Sequence, residues 1–216
     1  MISGRSNAGA QQTELPKAMV SKDIQRLKPI ILPVPSRVRQ WHASERVAFL
    51  SRHARKALRI CAEKCSFELG ELNKDDTGMP LPSHGYYWSL THKPMYVAGV
   101  ISPGPVGIDL EEIRDIHEGL YRRVAAKEEW RSASGLGDRK ALFFRFWTAK
   151  EAVMKAAGSG LKDLSRIKIK QVPDQRRISL AFRGTTWRVQ QYYFDNHIAA
   201  ITTSDSVVEW SIAESP

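Results

Sequence analysis

With 216 residues, 42% of them hydrophobic, the chain has enough apolar material for one large domain or two lobes of about 100 residues each. Its formal charge of +10, from 33 basic and 23 acidic residues, predicts a surface that attracts polyanions: nucleic acid, membrane headgroups, a phosphorylated cofactor or an acidic protein. Two cysteines are too few for a disulfide framework, and no apolar run approaches the roughly 18 residues of a membrane span, so a soluble cytoplasmic protein is expected.

Residues 1–12 are rich in Ser, Gly, Ala, Asn and Gln with almost nothing to bury, and residues 1–25 are expected to form a disordered tail. After the punctuation of Pro29, Pro33 and Pro35, Ser44 can cap a helix over 45–65, with Val47, Leu50, Ala54, Ala57, Leu58 and Cys61 at helical spacing. Its other face is basic, with Arg46, Arg52, Arg55, Lys56 and Arg59, which read mostly as a solvated face. Cys61 and Cys65 lie one turn apart on this helix and read as reduced thiols. A polar turn at 73–78 leads into Met79-Pro80-Leu81-Pro82 and then two strands, 86–91 and 95–101.

Pro103, Gly104 and Pro105 break the chain at its midpoint. Beyond them the pattern predicts a strand over 106–111, a helix near 118–132, a loop at 134–138 and a strong helix over 140–157 ended by Gly158 and Gly160. Strands follow at 167–172, 178–182, 186–194, 197–203 and 207–212. The order describes an α+β protein of two similar lobes, 26–104 and 105–216.

Three groups of residues can carry chemistry. In Val106-Gly107-Ile108-Asp109-Leu110-Glu111, alternation puts Val106, Ile108 and Leu110 on one face and Gly107, Asp109 and Glu111 on the other. Two adjacent carboxylates repel, and a hard divalent cation such as magnesium gives a reason to keep both ionised; an amphipathic strand with a polar outer face is the simpler alternative. On the second long helix Glu151 and Lys155 lie one turn apart, the orientation of an ordinary surface pair worth about 0.2–0.5 kcal/mol. Glu151 could equally join the two strand acids around one metal, with Lys155 offering positive charge to phosphate; Trp147, Val153 and Met154 read as core. Thr91-His92 ends an aromatic strand, where a hydroxyl and an imidazole can donate to phosphate oxygens.

Gly107-Ile108-Asp109-Leu110-Glu111, followed by Trp147-Thr148-Ala149-Lys150-Glu151-Ala152-Val153-Met154-Lys155, resembles the two signature motifs of the 4′-phosphopantetheinyl transferase superfamily. Thr91-His92 is similar to that family's Ser-His element, Gly78-Met79-Pro80 to its Gly-Lys-Pro turn, and Arg46 to its helix arginine. The resemblance covers about residues 40–165, and the length resembles the two-lobed, monomeric Sfp-type branch. It implies a pseudo-twofold α+β fold with coenzyme A in the cleft between the lobes. It further implies an Mg2+-dependent (or Mn2+-dependent) transfer of phosphopantetheine from coenzyme A to a serine of an acidic acyl or peptidyl carrier protein. By position, Asp109, Glu111 and Glu151 would ligate the metal. Arg46 and His92 would hold phosphates of coenzyme A, including its 3′-phosphate. Gly78, Met79, Pro80, Thr91 and Asp109 would line the coenzyme site, and Lys155 would neutralise the pyrophosphate. The base would be Glu151 or a metal-bound water. The chain departs from the pattern at Met79, which stands for a Lys, at Thr91, for a Ser, and at Ser89, for an Asn.

Three other readings compete. A basic nucleic-acid-binding module would use Tyr86, Tyr87 and Trp88 for stacking, but leaves the three acids unexplained. A relative that binds coenzyme A without transferring it would not need Asp109, Glu111, Glu151 and Lys155 together. Some other magnesium-dependent phosphate-ester enzyme could use the same acids. The transferase reading carries neither a nucleic-acid nor a membrane partner.

Overall fold

A computed structural model describes residues 26–204 and 206–214; the tail expected at 1–25 lies outside them. The architecture is α+β, each of two sheets carrying one long helix. Helix α1 (Ala43–Lys64) buries Leu50, Ala54, Ala57, Leu58 and Cys61, the stripe that the helical spacing predicts. It packs on a four-stranded sheet in the order β11 (Ser211–Ile212), β2 (Ile30–Pro33), β4 (Tyr96–Ser102), β3 (Tyr87–His92). Ser44 lies inside the first turn of α1 rather than before it, and His42 occupies the cap position without a side-chain hydrogen bond. Neither cysteine forms a disulfide.

The second sheet runs β5 (Ile108–Glu112), β9 (His197–Thr203), β8 (Thr185–Phe194), β7 (Arg177–Phe182), β6 (Lys168–Gln171), with antiparallel neighbours throughout. Helix α4 (Arg139–Ala156) packs across β9, β5 and β8, and Asp138 caps it by accepting from the Ala141 N–H at 2.8 Å. Between β5 and α4 the single helix expected near 118–132 is two short ones, α2 (Glu118–Val124) and α3 (Lys127–Arg131). Two buried side chains hold the break. Glu129 accepts from the Ala126 N–H at 2.7 Å, and Lys150, reaching up from α4, donates to the Val124 carbonyl at 2.5 Å. The groups freed by the break are thereby paired, and the largely buried Lys150 ammonium is pushed down to about 8, chiefly by desolvation and against the pull of Glu129.

Two features differ from the sequence pattern. Ile30, Ile31 and Leu32, to which the sequence pattern assigns no element among the prolines, are wholly buried in β2, between β4 and β11. The single strand expected at 207–212 is two, β10 (Val207–Val208) and β11. They return to the first half of the chain and pair in parallel with β1 (Arg26–Leu27) and β2. Among the described residues no helix is long and apolar enough to cross a membrane.

The halves meet where β5 lies beside β3 and β4. Ile108 and Leu110 belong to the apolar core under α1, while Gly107 on the opposite side presses against α4. A Cβ on Gly107 would stand 1.9 Å from the Ala152 carbonyl oxygen and 2.7 Å from the Ala156 nitrogen. In the first sheet Gly99 makes a similar approach, with a Cβ position 2.8 Å from the Leu58 nitrogen. Gly107→Ala must therefore push α4 off β5 and should destabilise by at least about 2 kcal/mol, as overpacking does. Gly104→Ala, with open space at the same atom, should be near neutral, and urea unfolding of the two variants checks the contrast.

Candidate functional site

The face that β5 turns toward α4 carries Asp109 and Glu111, 3% and 8% exposed. Asp109 sits at the junction of three elements. Its Oδ1 accepts from the Thr91 hydroxyl of β3 at 3.1 Å and from Lys155 Nζ of α4 at 2.9 Å; Lys155 also donates to the Ile108 carbonyl at 2.8 Å. The other carboxylate oxygen, Oδ2, is buried with no partner. Ser89, where the family pattern has Asn, accepts from the Ile108 N–H at 3.1 Å, so alternate residues of β3 stitch it to β5.

Glu111 Oε1 pairs with Lys93 Nζ at 2.6 Å and accepts from the Trp147 indole N–H at 3.0 Å. Trp147 thus packs in the second core and also serves the acid. Burial and the neighbouring Asp109 charge hold the Glu111 carboxyl above the usual carboxylate range, against the pull of Lys93. Glu151, partly buried on α4, is pushed up to about 6 by burial first and Asp109 second. Burial also works to lower the Lys93 ammonium, but the charge and hydrogen bond of Glu111 outweigh it and its pKa stands above the ordinary lysine value. His92 is depressed by desolvation and by Lys155, Lys93 and Lys74; its imidazole is therefore neutral at pH 7 and offers one N–H. Three acids and a ring of lysines thus share one spot, and the acids repel one another despite the lysines. They are not a closed cage: among the described residues no group of three or more His, Cys, Asp or Glu stands ready to hold a metal.

Lys155 joins this cluster to a cleft of 480 Å³. One wall is the turn that carries Gly78, Met79 and Pro80. Asp75 Oδ1 organises it by accepting from the Thr77 N–H, the Thr77 hydroxyl and the Met79 N–H at 2.9, 2.7 and 2.9 Å, and Gly78 supplies a φ of 84°. Met79 spans the cleft to the end of α4: a Cβ on Gly158 would lie 2.3 Å from its sulfur. Met154, read as core from the sequence, is buried and lines the cleft as well.

Thr91 and Lys155 thus bind Asp109 directly, Lys93 pairs with Glu111 within the field of Asp109 and Glu151, His92 lies within the field of Lys155, and Gly78, Met79, Pro80 and Lys155 line the cleft. Arg46 is not among the cleft's lining residues; its guanidinium donates to the Arg39 carbonyl at 3.4 Å. The sequence reading passed over Lys93, Lys74, Lys162 and Arg183. Lys93 carried a signal, since it directly follows His92; the other three are brought to the cleft only by the fold.

The raised Glu151 pKa has a consequence for stability without metal. A carboxyl at about 6 when folded and near its ordinary value when unfolded costs nothing below about pH 4, and costs about 2 kcal/mol above pH 7. Glu151→Gln should therefore raise the melting temperature by about 4–8 °C at pH 8 in a chelator. The gain should vanish at pH 4, and calorimetry at the two pH values reads the difference.

Residues 105–202 match the family model of the 4′-phosphopantetheinyl transferase superfamily. The chain is 28% identical over 154 residues to the 4′-phosphopantetheinyl transferase psf-1 of Bacillus pumilus, covering 65% of this chain and 63% of that one. It is 31% identical over 114 residues to the 4′-phosphopantetheinyl transferase HetI of a Nostoc species, covering 50% and 48%. A putative 4′-phosphopantetheinyl transferase of Haemophilus influenzae is 29% identical over 162 residues, covering 70% and 66%. The chain therefore spans somewhat less than two thirds of the length of psf-1 and about half that of HetI. The second half of the chain therefore matches the model of the 4′-phosphopantetheinyl transferase superfamily, and the chain is similar to these three transferases.

Proposed function

We propose that this chain transfers the 4′-phosphopantetheine group of coenzyme A to a serine hydroxyl of an acidic acyl or peptidyl carrier protein, releasing 3′,5′-ADP. The observation that carries the reading is the double position of Lys155, which binds Asp109 at 2.9 Å and lines a cleft whose other cations are Lys74, Lys162 and Arg183. A phosphate ester lying in that cleft meets the acid cluster at this lysine.

The acids suit a hard divalent cation such as Mg2+ or Mn2+. The buried Asp109 Oδ2 has no partner, and Glu111 and Glu151 carry raised pKa values partly because of Asp109, so the cluster has uncompensated negative potential. Asp109, Glu111 and Glu151 would hold the ion, which when bound supplies charge stabilisation to the diphosphate. Lys155 neutralises the oxygens on which charge develops as the phosphoanhydride bond breaks. The serine oxygen forms its bond to the β-phosphorus while 3′,5′-ADP departs. Glu151 would be the group of this chain that takes the hydroxyl proton. Thr91 and Trp147 fix the rotamers of Asp109 and Glu111. The Gly78-Met79-Pro80 turn offers backbone and an apolar thioether to the adenosine end, and His92 one neutral donor to phosphate. The +10 charge of the chain favours an acidic carrier.

The direct test is the intact mass of an apo carrier protein after incubation with the chain, coenzyme A and Mg2+. A gain of one phosphopantetheine, absent when the carrier serine is replaced or the metal chelated, is expected; no gain on acyl and peptidyl carriers alike overturns the reading. Asp109→Ala and Glu151→Ala should each cut transfer by at least about 100-fold with an unchanged circular dichroism spectrum. Wild-type turnover in either would remove that residue from the site.

A further inference from the structure

The first sheet ends on an open edge. Segment 207–213 runs along the first strands of the chain, and every second residue of it faces inward. The N–H groups of Glu209, Ser211 and Ala213 donate to the carbonyls of Leu27, Pro29 and Ile31 at 2.8, 3.1 and 3.0 Å. Strand alternation then turns the N–H and C=O groups of Val208, Trp210 and Ile212 outward. β11 is the last strand of its sheet and β10 pairs with β1 alone, so among the described residues those outward groups have no backbone partner.

Such an edge is a template for a further strand, and proteins that keep one free guard it with lysine, proline or a bulge. Here the guard is missing. Ser206-Val207-Val208-Glu209-Trp210-Ser211-Ile212-Ala213 holds one charge, Glu209, which is paired with Arg26. Val207 and Ile212 are 57% and 45% exposed.

The side chains say which strand fits. Ser211 Oγ accepts from Lys64 Nζ, at the end of α1, at 3.3 Å, so the odd-numbered residues lie on the α1 side of the sheet. Trp210 stacks on Tyr192 with 5.5 Å between centroids, so the even-numbered ones lie on the other side. A second copy laid antiparallel across a two-fold axis at Trp210 sets Val208 against Ile212, Trp210 against Trp210, and Glu209 against Ser211 of the other copy. Val208 then covers the exposed Ile212. The Glu209 carboxylate arrives beside the Lys64 ammonium held at Ser211, since directly opposed residues stand about 4.5–5.5 Å apart. Both contacts occur twice by symmetry.

We infer that the chain forms a dimer through this edge, in which 207–213 pairs antiparallel with its counterpart in a second copy and Glu209 of each copy faces Lys64 of the other. The inference is independent of the functional reading, and it departs from the monomer that the family resemblance implies. One strand pair is a small contact and two chains of charge +10 repel, so the dimer is a weak one.

Sedimentation equilibrium of the full chain tests it. The average mass should climb from one chain toward two between about 1 and about 200 μM, the range of a weak contact. Ile212→Pro removes only an outward N–H, which an edge strand tolerates, and should hold the chain as a monomer with an unchanged circular dichroism spectrum. Glu209→Lys and Lys64→Glu should each weaken self-association at least about tenfold, because like charges then face each other. An equimolar mixture of these two variants pairs a lysine with a glutamate on both sides of the axis and should recover association. The mixture decides the matter even if Ile212→Pro does not fold. A wild-type chain that stays monomeric throughout, a dimer that keeps its strength in folded Ile212→Pro, or a mixture no tighter than its parents overturns the inference.

Discussion

The carboxylate of Asp109 is the constraint on which the rest of the site depends. Burying a charge costs several kcal/mol unless partners replace its water, and the partners here come from different parts of the chain. Thr91 reaches across from the first sheet, and Lys155 comes from the helix that covers the second. Two apolar cores, one under α1 that takes in Ile108, Leu110, Ala199 and Ile201 and one around α4, are thereby joined by a polar seam as well as an apolar one. The tie is incomplete, because the second oxygen of Asp109 has no protein partner. A seam built for stability alone would satisfy that oxygen; under the proposed function a cation would do so.

Gly107 makes the seam narrow enough to work. With no side chain at that position, the Ala152 carbonyl and the Ala156 nitrogen can approach the strand, and Lys155, between those two residues, is brought down onto Asp109 and the Ile108 carbonyl. One more carbon at Gly107 would lift the last turn of α4 and take Lys155 from its carboxylate. Close packing and electrostatics are the same requirement here, and the glycine of the Gly-Ile-Asp-Leu-Glu sequence is as much part of the site as its acids.

Much of this was legible in the sequence because it is carried by local periodicity. Strand alternation placed Gly107, Asp109 and Glu111 on one face, and helical spacing put Glu151 and Lys155 on one side of α4. What local pattern could not carry was set by distant partners. Ile30-Ile31-Leu32 is a strand only because β4 and the returning β11 flank it, and the prolines beside it signal a break. The helix break at Ala125 and Ala126 exists because Lys150, from an element far along the chain, supplies a donor to Val124, while Glu129 reaches back to Ala126. Met154 sits in a buried run of α4, with Ala152 and Val153, and no periodicity says that the core surface there is also the wall of a cleft.

The lysines show why a charge count could not locate the site. Of 33 basic residues, most lie on solvated faces, where screening leaves each one little to contribute to a specific contact. The basic face of α1 reads from the sequence mostly as a solvated face, and the cations nearest the acids are instead Lys93 and Lys155, isolated in sequence and joined only when β3, β5 and α4 converge. Their partial burial makes them effective: desolvation strengthens their attraction for Glu111 and Asp109 and for any phosphate that enters. A polyanion approaching the chain meets a diffuse positive surface first, and a few desolvated ammonium groups beside three repelling carboxylates only at the end of the cleft. Attraction at long range is shared by many residues; what is local is the spot where Lys155 and Thr91 satisfy one oxygen of Asp109 and leave the other, buried, without a protein partner.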